Sequence, residues 1–346
     1  MTDTYLRPIP LTDPAYRGGK ALQLAGGWVR FTHLERLRRG AAPDIVAAHD
    51  LPAAALAPFL APRPAVAGLT LDRPRLMGIL NVTPDSFSDG GVDDSVAAAI
   101  ARGQMMLGEG ADLIDIGGES TRPGARPLPV AEEIARVAPV IAGLRAAGVG
   151  APISLDTRKA AVAEAGLRAG AGLLNDVSGL RHDPALARIA AHAGAPLIVM
   201  HSIGTPETMQ AMAPGAYGDV VLDVYDALAA IVAEAEAAGV ARARIMIDPG
   251  IGFGKTLDQN LALLDRLSLF HGLGCGILLG VSRKGMIGTL SGETVAARRG
   301  PGSAAIGLWA VLQGIQMLRV HDTATHTQAI ALWQALALGR QEEQST

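Results

Sequence analysis

The stretch LMGILNVTPDSFSDGGVDDSVAAAIARGQMMLGEGADLIDIG, residues 76–117, holds one complete strand, loop, helix, strand unit. Residues 76–80 and 112–117 are short apolar runs rich in Ile and Leu. The Ala-rich segment 95–108 between them has helical spacing, which is the pattern of a parallel βαβ unit. Downstream the pattern repeats with PISL (152–155), GLLNDV (172–177), PLIVM (196–200), RIMID (244–248), GILLGV (276–281) and MLRV (317–320), making eight candidate strands. Further helical segments fall at 129–146 and 303–313. Eight such units favour a closed (β/α)8 TIM barrel over an open doubly wound sheet, although closure itself is not written in the sequence.

Nearly every run ends in polar residues: Asn81, Glu119, Asp156, Asn175 with Asp176, His201, Asp248, Ser282 with Arg283 and Lys284, and His321 with Asp322. In a barrel of this kind the catalytic groups stand at the C-terminal ends of the strands, so the site is expected there. Upstream, residues 1–65 have Pro-rich joints, a candidate strand over 28–33 and short helical pieces around 34–39 and 53–60, and are read as an N-terminal appendage to a barrel spanning 66–346. The stretch LTLDRPRLM predicts a hairpin around Asp72, Arg73 and Pro74 that leads into the first barrel strand and closes the barrel bottom.

Composition narrows the function. The chain has 346 residues, enough for a barrel of about 250 plus an appendage. Hydrophobic residues make up 49% and charged residues 18%, with a net charge of −3, a globular balance without a basic surface for nucleic acid. The lone Cys275 excludes an internal disulfide and a thiolate metal site, which fits a reducing cytoplasm. The N-terminus MTDTYLRPIP lacks a basic region followed by an apolar stretch, and the apolar segment 53–71 is cut by Pro58, Pro62, Arg63 and Pro64, so neither a signal peptide nor a membrane span is expected.

Two loops are unusual. NVTPDSFSDGG (81–91) is rich in Gly, Ser, Asp and Pro, and GGESTRPGARP (117–127) combines glycines with hydroxyls and an arginine, the groups that hold phosphate. Together with SLDTRKAAVA, LLNDVSGL, IDPGIGFGKT, LGVSRKGMIG and RVHD, in that order, MGILNVTPDSFSDGG (77–91) and DIGGESTRPG (115–124) resemble the dihydropteroate synthase family over roughly residues 66–335.

The resemblance implies an enzyme of folate biosynthesis that joins 4-aminobenzoate to the methylene carbon of a dihydropterin and displaces diphosphate, with Mg2+ present. It implies that Asp156, Asn175, Asp248 and Lys284 hold the pterin, and that Arg319, His321 and Thr121 meet the diphosphate beside a Mg2+ held through Asn81. For 4-aminobenzoate it points to Ser282 near the carboxylate, with Phe87, Pro123 and Phe253 as apolar walls, and Asp89 near the reacting atoms. It also implies a homodimer. These residue types suit the chemistry: a 2-amino-4-oxopteridine offers a donor edge and a carbonyl, which call for a carboxylate, an amide and a cation.

A competing reading has Asp156 and Asp248 bracing the barrel through Lys284 and Arg283, with ion pairs but no pterin affinity. Two other functions are a methyltetrahydrofolate to corrinoid methyl-transferring barrel and a pterin-binding protein without catalysis. The sequence departs from the family at Ser202 and Ile203, where Met and then Arg or Gln usually follow the histidine. Val177 and Ser202 predict a roomier face on the pterin pocket.

Overall fold

The computed structural model describes residues 4–16, 19–82, 92–120, 125 and 127–338. The barrel strands are β6 (Arg75–Asn81), β7 (Leu113–Gly117), β8 (Ile153–Asp156), β9 (Leu173–Asp176), β10 (Leu197–Met200), β11 (Ile245–Asp248), β12 (Gly276–Leu279) and β13 (Met317–Val320). They follow one another round a closed barrel, with β13 pairing in parallel with β6. Closure is thus settled in favour of the barrel.

The strands are buried almost throughout because both faces are covered. Their outward residues, such as Leu80, Ile116, Leu155 and Ile247, join the core shared with the helices. The inward residues Met77, Leu113, Leu173, Ile198, Met246, Leu278 and Met317 form a separate apolar cluster. Helices alternate with the strands: α2 (Val92–Gly108), α3 (Val130–Ala146), α4 (Ala160–Ala169), α5 (Ala185–Ala193), the short α6 (Met209–Met212), α7 (Val220–Ala237), α8 (Leu257–Asp265), α9 (Gly285–Ser291), α10 (Gly300–Leu312) and α11 (Thr323–Leu338). Their ends follow local chemistry. Asp219 caps α7 by accepting from Val221 and Leu222, Thr256 and Gln259 form a capping box on α8, and Gly170 ends α4 in the left-handed region.

The turn at the barrel bottom lies upstream of the place expected. A two-residue turn pairs Val66 with Leu69, with Ala67 at φ 49° and Gly68 at φ 83°, whereas residues 71–73 form bends. Positive φ at both central positions is what a tight hairpin turn demands, and Pro74 removes a donor at the position where a ladder would have continued. Val66 and Leu71 join the inward apolar cluster and so close the bottom of the barrel.

The N-terminal segment comprises β1 (Tyr5–Pro8), β2 (Leu22–Gln23), β3 (Arg30–Phe31), β4 (His33–Leu37), β5 (Asp44–Ala47) and α1 (Ala53–Leu60). The helical piece expected around 34–39 is instead β4, the middle strand of a β1-β4-β5 sheet. Cross-strand partners decided this: Glu35 pairs in register with Arg7 and accepts from its Nε, while Arg36 pairs with Asp44 and donates to it. The segment has its own core of Leu24, Val29, Phe31, Leu34, Leu56 and Phe59. It is tied to the barrel by Trp28 Nε1 donating to Val311 O, Ser268 Oγ donating to Pro8 O, and Arg39 paired with Asp223 and Asp226.

Candidate active site

Strand periodicity builds the site. Side chains two residues apart share a face, so two residues above the apolar inward cluster stand Ile79, Asp115, Asn175, Met200, Asp248, Gly280 and Arg319. The interior therefore changes from apolar to charged within one layer as it approaches the C-terminal end. Asn81, Gly117, Asp156 and Asn175 are successive register partners across β6 to β9, which places the expected magnesium ligand and two expected pterin residues along one arc of the rim.

Arg319 is the hub of this layer. Its Nε donates to Asp115 Oδ2 at 2.5 Å and its Nη2 to Asp156 Oδ2 at 2.7 Å. Asn175 Nδ2 donates to the same Asp115 oxygen at 3.1 Å. Burial pushes the Asp156 carboxyl up to about 7, with Arg319 opposing and the nearby Asp115, Glu133 and Asp176 adding to the rise. Burial alone would lower the Arg319 guanidinium, but Asp115 and Asp156 more than offset it and hold it above its usual value.

Asp248 and Lys284 stand on the neighbouring arc. Asp248 Oδ1 accepts from the Gly250 N–H at 2.7 Å, and burial raises its carboxyl against the pull of Lys284. Lys284 Nζ donates to Ile251 O and lies 4.4 Å from the centre of the Phe253 ring. Burial brings its ammonium down to about 8, with Asp248 opposing that shift. Gly250 is required where it stands: at φ 69° a Cβ would lie 1.8 Å from His201 O.

Ser282 and His321 meet at the mouth, where Ser282 Oγ lies 3.0 Å from His321 Nδ1 and accepts from the His321 backbone N–H. Phe253 lines a rim pocket with Val177, Ser202, Ile203 and Met209. Ser202 Oγ accepts from Arg181 Nη2 at 2.5 Å and donates to Val177 O, so at this departure from the family pattern the guanidinium reaches towards the pocket. Phe87, Asp89, Thr121 and Pro123 lie outside the described residues.

The expected bracing through Arg283 does not occur, because Arg283 pairs with Asp322. Its φ of 59° turns the chain between Ser282 and Lys284, and its side chain reaches the start of α11 rather than the barrel centre. The ion pair that does brace the centre is that of Arg319 with Asp115 and Asp156.

Sequence reasoning missed three groups. Asp115 opens the motif DIGGESTRPG, and the alternation of LIDIG, which places it on the face of Leu113, is the signal for it. Lys255 is buried and its Nζ bonds Gly250 O at 2.8 Å, Phe253 O at 3.1 Å and His201 Nδ1 at 3.0 Å, which ties the turn after β11 to the end of β10. The His201 ring is driven down to about 2 by burial and by the charge of Lys255, so it stays neutral. The third is a cluster behind β8, where Lys159 joins Glu119 at 3.0 Å, Glu133 at 2.6 Å and Leu128 O at 2.6 Å, tying β7's exit to the approach to α3.

A parallel barrel with a carboxylate, an amide and a lysine round one face of its mouth, and an arginine and a histidine on the next strand, defines an enzyme built to grip a flat, donor-edged heterocycle beside an anion. The pterin binding enzyme family matches residues 77–321. The dihydropteroate synthase of Neisseria meningitidis serogroup C is 47% identical over 271 residues, covering 78% of this chain and 94% of that protein. The corresponding enzyme of Escherichia coli K12 is 42% identical over 267 residues, covering 77% and 93%. The structure of Xanthomonas albilineans dihydropteroate synthase with 4-aminobenzoic acid superposes with a TM-score of 0.74 at 48% identity, covering 80% of this chain and 98% of that one. The chain belongs to the dihydropteroate synthase family of pterin-binding enzymes. It is a transferase of a pterinylmethyl group, acting in folate biosynthesis.

Proposed function

We propose that the polar layer of the barrel divides the reaction between two arcs. On one, Asp248 and Asn175 accept and donate along the amino and ring N–H edge of the dihydropterin, while Lys284 meets its carbonyl. On the other, Arg319 and His321 take the diphosphate, with Thr121 beside them. The observation that carries this reading is the Arg319 hub. A guanidinium has five N–H donors; among the described residues two are engaged by Asp115 and Asp156, which leaves three for an anion.

The C–O bond between the pterin methylene and the diphosphate breaks, and its electron pair leaves with the diphosphate. The amine nitrogen of 4-aminobenzoate supplies the pair for the new C–N bond and then loses a proton. An uncharged aromatic amine is already nucleophilic, so the protein's tasks are to stabilise the leaving group and to position the partners. Ionised Asp156 faces positive charge spread over the pterin ring. Ser282, held by His321, offers a hydroxyl to the benzoate, and Phe253 with Phe87 and Pro123 supplies apolar walls. Asp89 assists at the reacting atoms.

Mg2+ suits the donor set. Asn81, the last residue of β6, would offer one hard oxygen, and among the described residues no group of three or more His, Cys, Asp or Glu forms a metal cage. Such a site leaves most ligands to diphosphate oxygens and water. When bound, the ion neutralises charge on the leaving diphosphate.

Residues 1–65 are read as an appendage whose role is packing against the barrel 66–346. A homodimer is supported by exposed Trp309 on α10 and exposed Leu332 and Leu336 on the adjoining α11; light scattering showing only monomer at micromolar concentration removes it. A cytoplasmic location rests on the single, buried Cys275. Among the described residues no helix is long and apolar enough to cross a membrane.

The test is diphosphate release from dihydropterin diphosphate with and without 4-aminobenzoate and Mg2+. Release that requires Mg2+, with dihydropteroate formed when the amine is added, is the expected result. Pterin binding without release overturns the assignment of the two arcs.

A further inference from the structure

The Asp115 side chain is fully buried on β7, and one of its oxygens, Oδ2, receives both Arg319 Nε and Asn175 Nδ2. Those two donors belong to the two arcs described above: Arg319 to the anion side, Asn175 to the heterocycle side. A single acceptor shared at 2.5 Å and 3.1 Å fixes the distance between them, because neither can shift without losing a charge-assisted bond to the same atom. The other oxygen, Oδ1, is buried without a hydrogen-bond partner among the described residues. A buried carboxylate oxygen left unsatisfied is costly, so the structure retains Asp115 at a cost in stability. An apolar residue would fill the same barrel position without that cost, as Leu113 does one layer below.

We propose that Asp115 is a positioning residue that couples the diphosphate-binding arc to the pterin-binding arc through the one oxygen shared by Arg319 and Asn175. The proposal rests on the assignment of those arcs under Proposed function. Asp156 cannot substitute for it, since among the described residues its carboxylate bonds Arg319 alone and leaves Asn175 unheld. Ser154, the register partner of Asp115, is equally buried and its Oγ has no hydrogen-bond partner among the described residues, so it serves as the neighbouring control.

The experiment compares Asp115→Asn and Ser154→Ala with the wild type. Affinities are measured separately for diphosphate-free 6-hydroxymethyl-7,8-dihydropterin and for inorganic diphosphate, alongside KM for each substrate and the melting temperature. In Asp115→Asn both affinities fall about tenfold, the size of one lost charge-assisted hydrogen bond. KM for the pterin diphosphate rises and KM for 4-aminobenzoate stays within twofold. Ser154→Ala leaves all of these unchanged.

A folded Asp115→Asn protein that weakens only one of the two ligands, or neither, overturns the proposal. So does a uniform loss that affects 4-aminobenzoate equally, which marks a purely structural role. If the wild type itself binds neither ligand, the assignment of the arcs has failed instead. Should Asp115→Asn not fold, the coupling is read in the wild type as reciprocal cooperativity between the two ligands. A tightening of at least threefold supports the proposal, and independent binding overturns it.

Discussion

Arg319 Nη2 donates to Asp156 Oδ2 at 2.7 Å, joining β13 to β8 across the barrel mouth. The pair sits in the same buried layer as Lys284, whose ammonium is held down to about 8, while Asp156 is held up to about 7. These two shifts leave a narrow interval in which both groups are charged.

Activity is therefore expected to follow a bell. Below about 7, Asp156 is protonated and no longer pairs with Arg319 as a carboxylate; above about 8, Lys284 is neutral and loses its charge-assisted bond to the pterin carbonyl. The kcat/KM for the pterin diphosphate should peak between these values. Lys284→Arg, always cationic, should remove the alkaline limb, and Asp156→Asn should remove the acid limb. A flat profile from pH 6 to 9 contradicts this.

Stability should move with the same groups. The folded carboxyl of Asp156 lies above its unfolded value of 3.8, so its contribution is present below that value and is lost as pH rises through about 7. The folded ammonium of Lys284 lies below its unfolded value of 10.5, so its contribution is present above that value and is lost as pH falls through about 8. Thermal melts of Asp156→Asn should accordingly lose less stability between pH 5 and 7 than those of the wild type.

Arg319→Ala removes the only cation that hydrogen-bonds Asp115 and Asp156 among the described residues. Turnover should fall at least a hundredfold. Stability at neutral pH should drop by about 3 kcal/mol, because two buried carboxyls are left uncompensated. Denaturant unfolding checks the second number, and an unchanged midpoint refutes the hub.

Gly250→Ala tests the turn that presents Asp248. With φ 69° and a Cβ 1.8 Å from His201 O, accommodation requires the turn to move, at a cost of about 2 kcal/mol or more. Pterin affinity should fall together with stability, since the Gly250 N–H is the donor that fixes Asp248.

Ser202→Met should tighten diphosphate-free dihydropterin about threefold, by adding apolar contact to the pocket face formed by Val177, Ser202 and Phe253. It also removes the oxygen that draws Arg181 inwards. Isothermal titration distinguishes tightening from loss; weaker binding means that Arg181 contributes more to the pocket than the missing thioether would.

The eight strands were legible because each is a short apolar run followed by a polar end, and a strand buried on both faces tolerates little else. The order of the motifs along the chain carried Asp156, Asn175, Asp248, Lys284, Ser282 and His321, since each stands at or just beyond a strand end. Less legible was the segment 34–39, where LERLRR suits a helix locally and only the partners Arg7 and Asp44 on other strands make it a strand.

What the sequence determined by itself was therefore local and periodic: the count of strands, their apolar faces and the face on which the polar residues gather. Tertiary structure alone decided which charges meet. Arg283 and Arg319 both stand at strand ends, yet one pairs with Asp322 and the other with Asp115 and Asp156. Pairing depends on closure and shear, which bring β13 beside β6 and aim Arg319 across the barrel, and nothing in the linear order of residues encodes those distances.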